Sequence, residues 1–187
     1  MVWSPSGINY ARYKGVLMKS LQDIIKQLQA HSQAIRALVS GLTVEESRWK
    51  PDLETWSVLE VLNHLVDEEI YDFRAHLDHI LQAPDQPWPE IDPEGWVSLR
   101  HYNEQALHDT LARYETEREK SLTWLAKLSA PDWDAAVTQP WGTLSAGDVL
   151  AAWLAHDLLH VRQLVELRYL ITKKASQPFQ LDYAGKW

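Results

Sequence analysis

The chain contains no cysteine. Disulfides, thiolate metal ligands and a cysteine nucleophile are therefore excluded, while the compartment stays open. It also lacks an apolar run long enough to span a bilayer. The opening stretch "MVWSPSGINYARYKG" has no apolar centre of the kind a secretion signal carries. The expected location is the cytoplasm. Positive charge is in deficit: 18 Lys and Arg face 26 Asp and Glu, a formal net charge of −8. A protein that grips a phosphate backbone needs a basic face, so nucleic acid is not an expected partner. There is no block of like charge and no basic amphipathic helix, which argues against an anionic membrane surface. Phenylalanine is scarce, with two residues against ten tryptophans. Indoles bury much area and need a partner for the N–H, so they read first as core and loop packing, and second as the wall of a ring-lined pocket.

What is present is helical periodicity. The 187 residues, 45% apolar and 24% charged, suit one domain with a real core. No segment alternates convincingly with period two. Four long helices are expected, at about 13–40, 57–82, 97–128 and 145–174. Gly41 stops the first. Ser57 with Glu60, and Ser145 with Asp148, have the spacing of capping boxes that open the second and fourth. "QAPDQPWPEIDPEGW", with Pro84, Pro87, Pro89 and Pro93, reads as extended loop. The expected fold is all-α: a four-helix bundle with long connections, including a crossover between the second and third helices. The tail "KASQPFQLDYAGKW" is expected to be irregular, its aromatics packing back on the bundle.

A weak internal echo runs through the pattern. "GLTVEES" and "KLSAPDW" each read as a capped short turn of helix, and each precedes a capping serine, an acid and "VL". His64 follows its cap by seven residues and His156 by eleven. The echo suggests two related helix pairs whose histidines enter from the same end.

The stretch "DVLAAWLAHDLLHVRQLVELRYL" carries the chemistry. At about 100° per residue, Val149, Ala152, Trp153, His156, His160, Gln163, Leu164 and Leu167 share one stripe. His156 and His160 are one turn apart and face a common point. That is how a helix offers two ligands to one metal, although the glutamate of the zinc-protease helix is missing. Two readings are open on these residues: a metal site, or a buried network in which each imidazole finds hydrogen-bond partners. A third ligand is not fixed by spacing. His76 and His79 read as a solvated flank beside Arg74 and Asp78. His101 follows Arg100 near a helix start, and His108, between Leu107 and Asp109, lies off the face expected to be buried. His64 has the most apolar setting, yet the line Leu59, Leu62, Val66, Ile70, Phe73, Leu77 points about 140° away from it. By pattern it is a flank residue.

"WSVLEVLNHLVDEE", followed about ninety residues later by "WGTLSAGDVLAAWLAHDLLHVRQL", resembles the DinB-like (DinB/YfiT-like) superfamily of metalloenzymes. The resemblance covers nearly the whole chain. It implies a four-helix bundle in which three histidines hold one divalent metal. These map onto His64, His156 and His160. Three neutral imidazoles leave an open coordination position, the catalytic pattern. Zinc or nickel, with iron also accepted by imidazole, are the expected ions. The family resemblance implies a small-molecule substrate and either transfer to a low-molecular-weight thiol or hydrolysis. A metal-stabilised binding or stress-response protein without turnover is the alternative, and a metal-free bundle acting through dimerisation is a third. A homodimer fits all three. Gln163, Glu68 and Asp157 are the candidates to orient the imidazoles.

Overall fold

Ser20 opens the first helix of the computed structural model, which describes residues 20–185. Its hydroxyl accepts from the Asp23 N–H, and α1 runs Leu21–Val39 until Gly41 turns the chain at φ +76°. The start expected near residue 13 lies outside the described residues. Thr43 and Glu46 close a capping box on the short α2, Val44–Arg48, as the "GLTVEES" pattern suggests. Ser57 and Glu60 do the same for α3, Val58–Asp67. A π-helical turn, Glu68–Asp72, joins α3 to α4, Phe73–Gln82, so the expected second helix is present with one widened turn at its middle. The Ser145–Asp148 box starts α7, Ala146–Ala175.

The expected third helix is broken. Pro93, assigned above to loop, sits in the first turn of α5, Pro93–Leu99, with Asp92 as its cap. The chain then turns at His101, in left-handed conformation at φ +49°, passes a 3₁₀ turn at Tyr102–Glu104, and enters α6, Leu107–Lys127. The break serves a buried acid: Arg100 at 2.7 Å and the Tyr102 hydroxyl both reach Asp67. Beyond Lys127, the last residue of α6, "KLSAPDW" forms no helix. It turns into a hairpin, β1 (Ala136–Gln139) with β2 (Gly142–Ser145), paired antiparallel from Ala136–Ser145 to Gln139–Gly142. Four-residue strands are too short for period-two alternation to register. In the tail, Phe179 and Tyr183 are exposed, so these aromatics do not pack back as expected.

Two apolar clusters fix the chain's course. One holds Ile24 and Leu28 of α1, Phe73 and Leu77 of α4, Leu122 and Leu125 of α6, and Val149 and Trp153 of α7. The other holds Ile35 and Val39 of α1, Val58 and Leu62 of α3, Tyr114 of α6, and Leu164 and Leu167 of α7. Followed in sequence, α1 and α7 run from the first cluster to the second. The α3–α4 rod and α6 run the other way. The connection 83–106 therefore crosses back along the rod, and α5 and the 3₁₀ turn pack on α3 as it does so. Opposed directions also mean that the histidines of α3 and α7 enter from opposite ends, not from the same end as the internal echo suggests. Among the described residues, no helix is long and apolar enough to cross a membrane.

Between the clusters every helix of the bundle carries polar groups: His31 on α1, Glu68 and Glu69 on the π turn, Arg118 on α6, and His156, Asp157 and His160 on α7. Buried charge without partners is costly, so this layer has to be paired internally.

Candidate metal centre

His64 leaves α3 from its second turn. That helix is buried at every position from Val58 to Asp67, because α2, α5, α6, α7 and the 3₁₀ turn surround it. An all-round buried helix has no exposed flank, which is why the stripe reading misplaces His64. Its Nε2 lies 3.4 Å from Nε2 of His156 and 3.2 Å from Nε2 of His160, and those two are 3.1 Å apart. Trp56 packs edge-on against the His64 ring at 5.0 Å, and Phe73 lies 4.9 Å from the His156 ring.

Three nitrogens at the corners of a tetrahedron around an ion, with bonds of about 2.0–2.1 Å, lie about 3.3–3.4 Å apart. The observed separations match that set. Without a cation the arrangement is poor chemistry. His160 Nδ1 is 2.8 Å from Gln163 Oε1, an acceptor, so Nδ1 carries the proton and Nε2 points a bare lone pair at the other rings. Protonation offers little relief. Burial and the neighbouring imidazoles push His64 down to about 2, and burial foremost pushes His156 down to about 4 and His160 down as well. The rings are neutral near pH 7, the state in which imidazole binds metal.

Glu68 stands beside them, its carboxylate 3.6 Å from His64 Nδ1 and 3.8 Å from His156 Nε2. Burial, then its hydrogen bond with Asp72 and the charges of Asp72, Asp67 and Glu69, push its pKa up to about 9. Of the three candidates to orient the rings, Gln163 does hold His160 and Glu68 faces two rings. Asp157 turns the other way. It is 1% exposed, not solvated, and takes both terminal nitrogens of Arg118 at 2.7 Å. The same guanidinium reaches Glu69 at 2.7 Å, and Glu69 also accepts from Trp153 Nε1 at 2.9 Å. His31 faces Asp157 at 3.4 Å.

Sequence reasoning missed Arg118 and Glu69. The signal was available for Arg118: with Tyr114, Leu122 and Leu125 it keeps the apolar spacing of α6, although its neighbours in "RYETEREKS" look solvated. His76 and His79 are also corrected, being 3% and 6% exposed. The proline-rich connection folds over them. His76 sits between Asp72 Oδ1 at 2.7 Å and the Pro89 carbonyl at 2.8 Å, stacked on Trp88. His101 and His108 are exposed, as expected.

No curated protein matches the chain in sequence. Among solved structures the chain resembles YfiT from Bacillus subtilis, described as a probable metal-dependent hydrolase with an unusual four-helix bundle topology. The TM-score is 0.73 and the identity 15%, over 87% of this chain and 94% of that one. At that identity the likeness is one of fold. The model of the DinB superfamily matches residues 27–164, which take in all three histidines and at least part of every helix of the bundle, and the chain belongs to that superfamily.

Proposed function

We propose that the protein is a metal-dependent hydrolase of a small molecule, with one divalent ion held by His64, His156 and His160. The observation that carries this reading is the convergence of the Nε2 atoms of three neutral imidazoles to 3.1–3.4 Å. The fold neighbour's description as a probable metal-dependent hydrolase supports it. Zinc or nickel suits an all-imidazole set, with iron a third choice. Such an ion supplies Lewis acidity and lowers the pKa of a water or thiol that reaches its open position.

The chain's own groups have separate tasks. Gln163 fixes the tautomer and the plane of His160. Trp56 packs on the His64 ring and Phe73 on the His156 ring. Glu68 stands 3.6–3.8 Å from two imidazoles and is the group to give or take a proton beside the reacting bond. The test is a panel of simple esters, amides and lactones offered to protein loaded with zinc, nickel or iron(II), each with and without cysteine as a thiol. Hydrolysis that chelator abolishes, and that Glu68→Gln loses while its metal is retained, supports the reading. Turnover only with the thiol present redirects it to thiol transfer. Metal bound at one equivalent without turnover of any substrate favours the non-catalytic alternative.

A further inference from the structure

Beside the histidines lies a pocket of about 360 Å³. Its walls come from separate segments: Phe73 and His76 of α4, Trp88 and Ile91 of the proline-rich connection, Trp141 of the hairpin, and Ala152 of α7. Phe73 is shared with the metal centre, since its ring also lies 4.9 Å from that of His156. Ala152 is one turn before His156 on the same face of α7. The three histidines do not themselves line the pocket, which neighbours them through Phe73 and Ala152.

The lining is built and held. Trp88 stacks on His76 at 4.2 Å with the planes 7° apart, and Trp141 meets Trp88 edge-on at 6.1 Å. Trp141 is nonetheless 62% exposed, an indole kept at the rim by a two-stranded hairpin. The charged groups in the wall are Asp72 and His76, and they are paired with each other at 2.7 Å. Among the described residues, no lysine or arginine lines it. An anionic group would find no counter-charge there, and a cation would find an acid already engaged. What the walls offer is apolar contact to a small group, at the lower end of the usual volume for ligand sites.

We propose that this pocket seats an uncharged aryl or branched-alkyl arm of the substrate while the reacting group lies at the three histidines. The proposal rests on the metal reading of those histidines. It makes the proline-rich connection and the hairpin, neither of which supplies a ligand, the specificity elements of the protein.

The test compares two chelators by calorimetry on zinc-loaded protein: acetohydroxamate and 4-phenylbutanohydroxamate. They share one metal-binding group and differ in the arm. The wild type is expected to bind the phenyl compound about tenfold more tightly or better. Ala152→Trp, which fills the pocket from an exposed helix position, and Trp141→Ala, which removes its rim, are each expected to bring the ratio of affinities towards one. A ratio near one in zinc-bearing wild type, or a ratio that both variants leave untouched, overturns the pocket assignment and spares the metal reading. Failure to take up zinc overturns the metal reading instead. The pocket is then read with 4-phenylbutanamide by tryptophan fluorescence: saturable binding lost in Ala152→Trp supports the assignment, and absence of binding overturns it.

Discussion

At the scale of residues, the centre depends on which nitrogen of each ring carries a proton. Gln163 decides this for His160 through the 2.8 Å contact at Nδ1. Gln163→Leu leaves all three rings in place but frees that tautomer. Metal affinity should fall about 10–100-fold, measured by competition with a chromophoric chelator, with one equivalent still bound at saturation. A second residue-scale effect concerns pH. Burial opposes charge on His76, but its hydrogen bonds to Asp72 and to the Pro89 carbonyl outweigh that and hold its pKa above the ordinary 6.5. Burial likewise opposes charge on Asp72, and its bonds to His76 and Glu68 hold it below the ordinary 3.8. A raised histidine stabilises fully below its unfolded pKa and loses that contribution as pH rises through the folded one. A depressed carboxylate stabilises above its unfolded pKa and loses that as pH falls. The pair should therefore contribute most between about pH 3.8 and 6.5. Urea unfolding of wild type against His76→Gln should show a difference that shrinks as pH climbs past 6.5. Glu68 and His156, which also act on Asp72, are common to both proteins. A difference that grows above pH 6.5 contradicts the assignment.

At the scale of elements, the π turn and α6 matter most. The widened turn at Glu68–Asp72 presents two consecutive buried acids, Glu68 towards the histidines and Glu69 towards Arg118. π turns inside helices recur at functional sites. Arg118 ties Glu69 of that turn to Asp157 of α7, so one guanidinium sets the rod carrying His64 against the helix carrying His156 and His160. Arg118→Met should cost about 3–5 kcal/mol by urea unfolding, because it strands two buried acids. Arg118→Met combined with Asp157→Leu and Glu69→Leu should recover much of that loss, since no uncompensated charge remains. The sequence makes the helices legible where local chemistry decides them: the Ser57, Ser145 and Thr43 boxes are all formed. It hides the break between α5 and α6. No glycine or proline lies between Trp96 and Leu128, and the left-handed turn at His101 answers to a distant acid, Asp67. The π turn is hidden for a related reason. A helical wheel assumes a constant angle per residue, so the line from Leu59 to Leu77 loses its phase at Glu68.

At the scale of the whole molecule, two apolar clusters sandwich a polar layer that holds His156 and His160, and His64 reaches them from α3. His156 and His160 could be read as a facing pair from α7 alone. His64 could not, because its placement depends on α3 being surrounded on all sides, and only family resemblance pointed to it. A metal held by the three histidines would link α3 to α7. An ion at about a hundredfold its Kd should stabilise the fold by about 2.7 kcal/mol, read as a rise in Tm that chelator reverses. The most direct test of the central claim is elemental analysis of protein purified without a histidine tag or chelator, wild type beside His156→Ala. The account predicts about one equivalent of a divalent transition metal in the wild type, lost in the variant. No metal in the wild type, even after reconstitution with zinc, nickel and iron(II), would contradict it.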